Sequence, residues 1–189
     1  MSTILLSRRL LALRLAAIPV GAGLSAGVLG ASRDGESAAA GDGLSHAAES
    51  IRQVVEFDAN PVRVYEALTD AKQFDAVTRL SDAVKLVTAP GAKPTSISRA
   101  VGGAFTLFGG YITGRHLEMV RGERLVQAWR AASWKPGDFS VVKFLLQANG
   151  AGTKVLFDHR GFPEGRGPDL ADGWHTHYWD PLAKFLSSD

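Results

Sequence analysis

The stretch GWHTHYWDPL, residues 173–182, brings two histidines and two tryptophans together near the end of a chain of 189 residues. It lies within the segment Asp169–Leu186, whose apolar residues have helical spacing. Six residues on one side of this helix form an apolar stripe: Trp174, His177, Tyr178, Pro181, Leu182 and Phe185. We expect the stripe to pack against a sheet. Because proline lacks an N–H group, Pro181 predicts a kink, or a restart of the helix with Asp180 as its cap.

The two histidines of this stretch do not form a metal site on a regular helix. Residues two apart point about 200° away from each other, so His175 and His177 lie on opposite sides. The chain contains no cysteine, which excludes thiolate sites and disulfides. We therefore predict no metal. Two interpretations of His177 stay open, a hydrogen-bonded histidine of the core and a polar point inside a ligand cavity.

Strand-like segments separated by short turns lie upstream of this helix. There are five of them, at residues 104–108, 111–120, 124–132, 139–147 and 153–159, divided by the turn sequences GG, RGE, KPGD and ANGAG. Connections this short cannot hold the helix of a parallel crossover. The pattern therefore predicts an antiparallel meander and argues against a doubly wound parallel sheet.

One strand and two short helices precede the meander. Alternating apolar residues at 51–57 predict the strand. Asn60 then offers an N-cap, and Pro61 suits the first position of a helix. A second short helix can begin after its cap Asp70 and bury Phe74.

This order of elements resembles the START-like, or SRPBCC, helix-grip fold, and the residues are similar to homologues of the heat-shock-protein-90 ATPase activator. Five pieces within residues 51–189 carry the resemblance: DANPVRVYEALTDA (58–71), GGAFTLFGGYITGRHLE (102–118), RLVQAWRAASW (124–134), NGAGTKVLFDHRGFP (149–163) and GWHTHYWDPL (173–182). The resemblance implies an α+β fold. A curved antiparallel sheet would wrap around a long C-terminal helix, with two short helices after the first strand.

Folds of this kind often leave an apolar cavity between the sheet and the C-terminal helix. Rings with a polar tip suit such a cavity, because its wall is mostly apolar and forms hydrogen bonds to only a few polar atoms of a ligand. Six residues are candidates for its wall: Trp129, Trp134, His159, Trp174, His177 and Tyr178. We expect the partner to be a small apolar molecule. The alternative is a solid core in which the same rings are fully packed.

We predict no catalytic residue and no cofactor. Asp158 and His159 are adjacent on a strand and face opposite sides, which argues against a dyad. His116 and Glu118 share a face, where we expect a solvated pair on a half-exposed strand. Two other functions stay open. One is a cyclase-like or dehydratase-like enzyme that uses the same cavity, and the other is a protein-interaction or co-chaperone-like module.

Residues 1–31 have the layout of an export signal, with basic residues followed by an uncharged run. The pair Arg8-Arg9 resembles the twin-arginine type. An uncleaved membrane anchor and an organellar transit peptide are the alternatives. We expect cleavage and a periplasmic or secreted protein without stable membrane association. This location argues against the co-chaperone role, because an exported protein would not meet a cytosolic chaperone.

The charge of the chain also depends on this first segment. The formal net charge is +2, but without residues 1–31 the chain carries 18 Lys and Arg against 19 Asp and Glu. Basic residues form no stripe interleaved with exposed aromatics, so we do not expect nucleic-acid binding. Residues 32–50 are small and polar, as in a flexible linker. The folded domain is predicted to span residues 51–189.

Overall fold

The computed structural model describes residues 50–188. It contains seven strands: β1 (Ser50–Phe57), β2 (Ser96–Ile97), β3 (Ala104–Leu107), β4 (Ile112–Val120), β5 (Arg124–Ala131), β6 (Ser140–Asn149) and β7 (Gly152–Arg160). The helices are α1 (Pro61–Thr69), α2 (Ala71–Thr78), α3 (Val84–Val87), α4 (Gly167–Trp174) and α5 (Asp180–Leu186). A 3-10 turn, Phe108–Gly110, precedes β4, and a π-helical turn, His175–Trp179, joins α4 to α5. The predicted export signal, and the predicted linker up to residue 49, lie outside the described residues.

The strands form one antiparallel sheet in the order β1-β7-β6-β5-β4-β3-β2. Strands β4 to β7 pair with their sequence neighbours as a meander. β1 returns to pair with β7 along its whole length, from Ser50 opposite Arg160 to Phe57 opposite Thr153. The predicted α+β helix-grip fold, a curved antiparallel sheet with a C-terminal helix, is confirmed.

One face of the sheet is buried under the helices, because side chains alternate between the two faces of a strand. On β5 the buried residues are Leu125, Gln127, Trp129 and Ala131, whereas the residues between them are partly exposed. Trp174 of α4 packs on this face, with its ring centroid 4.4 Å from that of Phe157 on β7. The core is therefore a largely aromatic layer between the sheet and the C-terminal helical segment.

The two helices after β1 begin at the residues that the sequence indicates. The Asn60 side chain accepts a hydrogen bond from the backbone N–H of Arg63 at 3.0 Å, and Pro61 occupies the first turn of α1. Asp70 caps α2 in the same way, by accepting from the backbone of Lys72 and Gln73. Such caps satisfy N–H groups that have no partner within the helix. They fix where the chain leaves the sheet and folds over its buried face.

The C-terminal segment is not a regular α-helix. The backbone N–H of Asp180 donates to the carbonyl of His175, five residues earlier, which defines a π turn. Pro181 then lies in the first turn of α5, where its missing N–H is tolerated. The predicted restart with Asp180 as cap is wrong, because Asp180 is itself helical and Trp179 before it has helical backbone angles and makes no side-chain cap hydrogen bond. The wider turn brings Trp179, absent from the predicted stripe, into the core, while Phe185 is only partly buried.

The expected solvated pair on β4 is wrong. A bulge interrupts the register between His116 and Glu118, so the two residues no longer follow simple alternation. His116 is 0% exposed and packs against Phe105, with ring centroids 5.2 Å apart. Glu118 remains near the surface and binds Arg124 at 2.6 Å. Sequence spacing could not show the bulge that separates them.

Two further observations concern membranes and metals. Within residues 50–188, none of the helices is long and apolar enough to span a bilayer. The same residues do not bring three His, Asp or Glu side chains together in the way that a metal site requires. His175 is exposed, while His177 is half-buried, in agreement with their divergence on a helix.

Candidate functional site

A cavity of about 220 Å³ lies between the sheet, the C-terminal helical segment, α3 and the 3-10 turn. Its walls are formed mainly by aromatic and aliphatic side chains, with few charges. The lining residues are Ala83, Leu86, Phe108, Tyr111, Ile112, Trp129, Arg166, Asp169, Leu170, Gly173, Trp174, His177 and Tyr178. The sheet contributes its floor and α4 with the π turn contributes one side.

Four of the six predicted wall residues line this cavity, namely Trp129, Trp174, His177 and Tyr178. The indole N–H of Trp129 donates to the hydroxyl of Tyr178 over a long contact of 3.5 Å. The two remaining candidates lie behind Trp129, since the ring centroids of Trp134 and His159 are 5.3 Å and 5.2 Å from its own. Trp134 and His159 therefore support the wall but do not border the cavity.

His159 forms the centre of a buried hydrogen-bond chain. The indole N–H of Trp174 donates to its Nδ1 at 3.1 Å, so this nitrogen carries no proton. The proton of the neutral ring then lies on Nε2, which donates to the hydroxyl of Ser140 at 2.7 Å. Ser140 in turn donates to the carbonyl of Trp129 at 3.0 Å. This chain holds the two tryptophans of the cavity wall in place relative to each other.

Burial controls the ionisation of the groups around the cavity. Loss of solvation lowers the pKa of His159 from 6.5 to about 4, while the nearby Asp158 carboxylate opposes the shift. Loss of solvation also raises the pKa of Tyr178 above its usual range, although the hydrogen bond from Trp129 acts in the opposite direction. At neutral pH the imidazole is therefore uncharged and the phenol keeps its proton. Both serve as neutral hydrogen-bonding groups.

The 3-10 turn borders the cavity through Phe108 and has an unusual backbone. Phe108 has a φ of 51°, a conformation that bulky residues rarely adopt, and it is followed by two glycines with positive φ. A Cβ on Gly109 would lie 2.2 Å from the carbonyl oxygen of Leu86, so the turn can approach α3 only without a side chain there. Phe108 consequently packs on Tyr178, with ring centroids 5.2 Å apart. Strained turns of this kind are concentrated at functional sites.

Gly173 supplies open space on the helix side of the cavity. A Cβ at this position would meet one neighbouring heavy atom within 4 Å, Cδ2 of His177 at 4.0 Å. Glycine within a helix is less favourable than alanine by about 1 kcal/mol. At this position the smaller residue leaves space in the cavity where a side chain would project.

Sequence reasoning missed most of the cavity wall outside the C-terminal stripe. Gly173 was detectable, because a glycine inside a helical pattern suggests a packing or functional reason. The paired glycines after Phe108 predicted a turn, but not that the turn would border a cavity. Arg166 and Leu170 gave no signal, because their role depends on how α4 is placed over the sheet.

Comparisons with known proteins agree with this architecture. A family model described as Activator of Hsp90 ATPase homolog 1-like protein matches residues 58–187. The activator of 90 kDa heat shock protein ATPase homolog of Dictyostelium discoideum is 26% identical over 133 residues, which are 70% of this chain and 31% of that protein. Homolog 2 of Mus musculus is 22% identical over 102 residues, or 54% of this chain and 31% of that protein.

The matched part of the chain therefore spans less than a third of the length of these two relatives. Among solved structures, that of an HSP90 activator from Plasmodium falciparum superimposes with a TM-score of 0.62 at 23% identity. The superposition covers 73% of this chain and 96% of the other. At this level of identity the likeness shows a shared fold.

Proposed function

The chain belongs to the family of Activator of Hsp90 ATPase homolog 1-like proteins, and we propose that this member binds a small apolar molecule in the cavity between the sheet and the C-terminal helical segment. The observation that carries the proposal is the cavity itself, about 220 Å³ in volume and walled largely by rings. Predominantly apolar walls with a few polar groups are typical of sites for small molecules.

The volume limits the size of the ligand. An apolar cavity of about 150 Å³ is large enough to hold benzene, whereas sites for drug-sized molecules begin at about 300 Å³. The present cavity, at about 220 Å³, lies between these values. We therefore propose a ligand with one ring, or a short branched chain of similar volume.

Trp174 is too deeply packed to distinguish a cavity from a solid core. It is 2% exposed and lies against Phe157 and Tyr178, with ring centroids 4.4 Å and 4.1 Å from its own. Replacing it by alanine would cost about 3 to 5 kcal/mol in either case. A substitution that fills the cavity is therefore more informative than one that enlarges it.

Gly173 allows such a substitution. Gly173→Ala should raise the free energy of unfolding by about 1 kcal/mol through helix propensity and leave most of the cavity open. Gly173→Leu should place its side chain in the cavity, keep that gain in stability, and weaken the binding of fluorobenzene at least about tenfold. Binding is measured by 19F NMR titration and stability by urea unfolding. The alanine variant is the matched control for backbone effects.

A solid core would give the opposite result. Leucine would then overpack the helix–sheet contact and cost about 1 to 3 kcal/mol, and the parent protein would show no saturable binding of fluorobenzene. Both results together would refute the proposed function.

A second candidate function is a co-chaperone-like interaction, because two curated relatives are named as activators of 90 kDa heat shock protein ATPase. This candidate predicts that the purified protein increases the ATPase rate of an Hsp90. It also predicts that Gly173→Leu retains this effect, since the changed side chain is internal. Fluorobenzene binding without any effect on the ATPase would favour the cavity function alone.

A further inference from the structure

Two side-chain nitrogens of residues that line the cavity have no hydrogen-bond partner within residues 50–188. Nε of Arg166 and Nδ1 of His177 are buried, and neither has a hydrogen-bond partner in the described part of the chain. The hydroxyl of Tyr178 accepts from Trp129 and keeps its own proton available for donation. The Nε–H of Arg166 is a donor whatever the pH, and a buried donor without a partner is unfavourable, so it would gain from an acceptor supplied by a ligand.

The cavity has a closed end and an open end. Trp129 and Trp174 form the closed end and are 3% and 2% exposed. The side chains of Arg166 and Asp169 are 43% and 73% exposed and lie at the opening, which the exposed residues Leu86 and Tyr111 also border. A ligand that fills the cavity would therefore place its apolar part against the tryptophans and its polar part near Arg166.

The positive charge of Arg166 is only weakly compensated. Its Nη2 lies 4.0 Å from Oδ2 of Asp169, which is the outer limit of an ion pair and too long for a hydrogen bond. Exposed pairs of this kind contribute little. A planar guanidinium with a free Nε–H matches the two oxygens of a carboxylate, which it can bind through parallel hydrogen bonds.

We propose, on the basis of the proposed binding function, that the apolar part of the ligand is a single aromatic ring and that this ring carries one carboxylate group, bound as its anion. The ring occupies the space between Trp129, Tyr178 and Phe108, where aromatic faces and edges are available for contact. The carboxylate lies at the opening and accepts hydrogen bonds from Arg166. Asp169 at the same opening opposes the bound anion and so limits the affinity.

Three probes of similar shape test this assignment by 19F NMR titration of the purified protein: 4-fluorobenzoate, 4-fluorobenzamide and fluorobenzene. The acid should bind more tightly than the amide by about tenfold, since it adds charge-assisted hydrogen bonds to Arg166. Arg166→Gln should remove most of this preference, and Arg166→Lys should retain part of it. Asp169→Asn should increase the preference. Arg99→Gln, which removes an equal charge at the exposed ion pair with Glu66, should leave it unchanged.

The outcomes separate this inference from the proposed function. If fluorobenzene binds and the acid shows no preference over the amide, the cavity is a binding site but the carboxylate assignment is wrong. If none of the three probes binds, the proposed function itself fails. A preference for the acid that Arg99→Gln removes as effectively as Arg166→Gln would show a general charge effect and would also overturn the assignment.

Discussion

Acidification provides a quantitative test of the hydrogen-bond chain through His159. The pKa of this buried imidazole is lowered from 6.5 to about 4, so the unfolded chain takes up the proton at a higher pH than the folded chain. Between these two values the unfolded state binds more protons, and the free energy of unfolding falls as the pH falls. The stabilisation from the neutral ring is complete above pH 6.5 and lost by about pH 4. Its magnitude is about 3 kcal/mol, since one pKa unit corresponds to about 1.4 kcal/mol.

The matched control is His159→Gln. A glutamine can accept from the indole of Trp174 through Oε1 and donate to Ser140 through Nε2, but it does not titrate. Urea unfolding of both proteins at about pH 7 and about pH 4.5 gives the loss of stability on acidification for each. The loss should be greater in the parent protein by roughly 2 to 3 kcal/mol.

Titratable groups that do not interact with His159 contribute equally to both proteins and cancel in this difference. Burial also lowers the pKa of His116, so protonation of this histidine on acidification destabilises the fold, as protonation of His159 does. Arginine partners lower the pKa values of Glu66, Glu118 and Asp158, and this stabilisation is lost at still lower pH. Equal losses of stability in the parent and in His159→Gln would refute the argument, because protonation of a buried, neutral His159 should make the loss larger in the parent protein.

Two further predictions concern the helix and the start of the chain. Trp179→Phe should cost about 1 to 3 kcal/mol in urea unfolding, because it leaves Oε1 of Gln53 without the indole N–H that donates to it at 2.6 Å. A double-mutant cycle with Gln53→Ala should show a coupling of at least about 0.5 kcal/mol, and additive effects would contradict the pairing. We also propose export with cleavage, so that N-terminal sequencing of the exported protein begins within the polar linker. Lysine in place of both Arg8 and Arg9 should block export by the twin-arginine route, and unchanged export would exclude that route.

The parts of the fold that could be predicted are those specified by neighbouring residues. Turn sequences delimit the strands of the meander, and the caps Asn60 and Asp70 mark the helix starts, because each depends on a local backbone requirement. Strand β2 was missed, since Ser96–Ile97 pairs only through its contact with β3. Helix α3 is also not predicted, because its four residues are too few to show a helical pattern.

The candidate site was less predictable than the fold. The aromatic stripe placed Trp174 and Tyr178 against the sheet, and the structure puts both on the cavity wall. It could not separate wall residues from supporting ones, which is why His159 was grouped with them. That distinction depends on which side of Trp129 a ring occupies, a matter of packing in three dimensions rather than of sequence spacing.

The π turn explains both the error in the predicted stripe and the way the cavity is held. In a regular α-helix, residues five apart differ by about 140° in direction and cannot stack. Here Trp174 and Trp179 stack at 5.7 Å with planes 25° apart, because the turn between them contains five residues. Trp174 therefore faces the cavity while Trp179 reaches Gln53 on β1. One widened turn thus fixes the helix to the edge strand of the sheet and, at the same time, holds the cavity wall. For this reason we expect ligand binding to depend on Trp179 and Gln53, although neither residue lines the cavity.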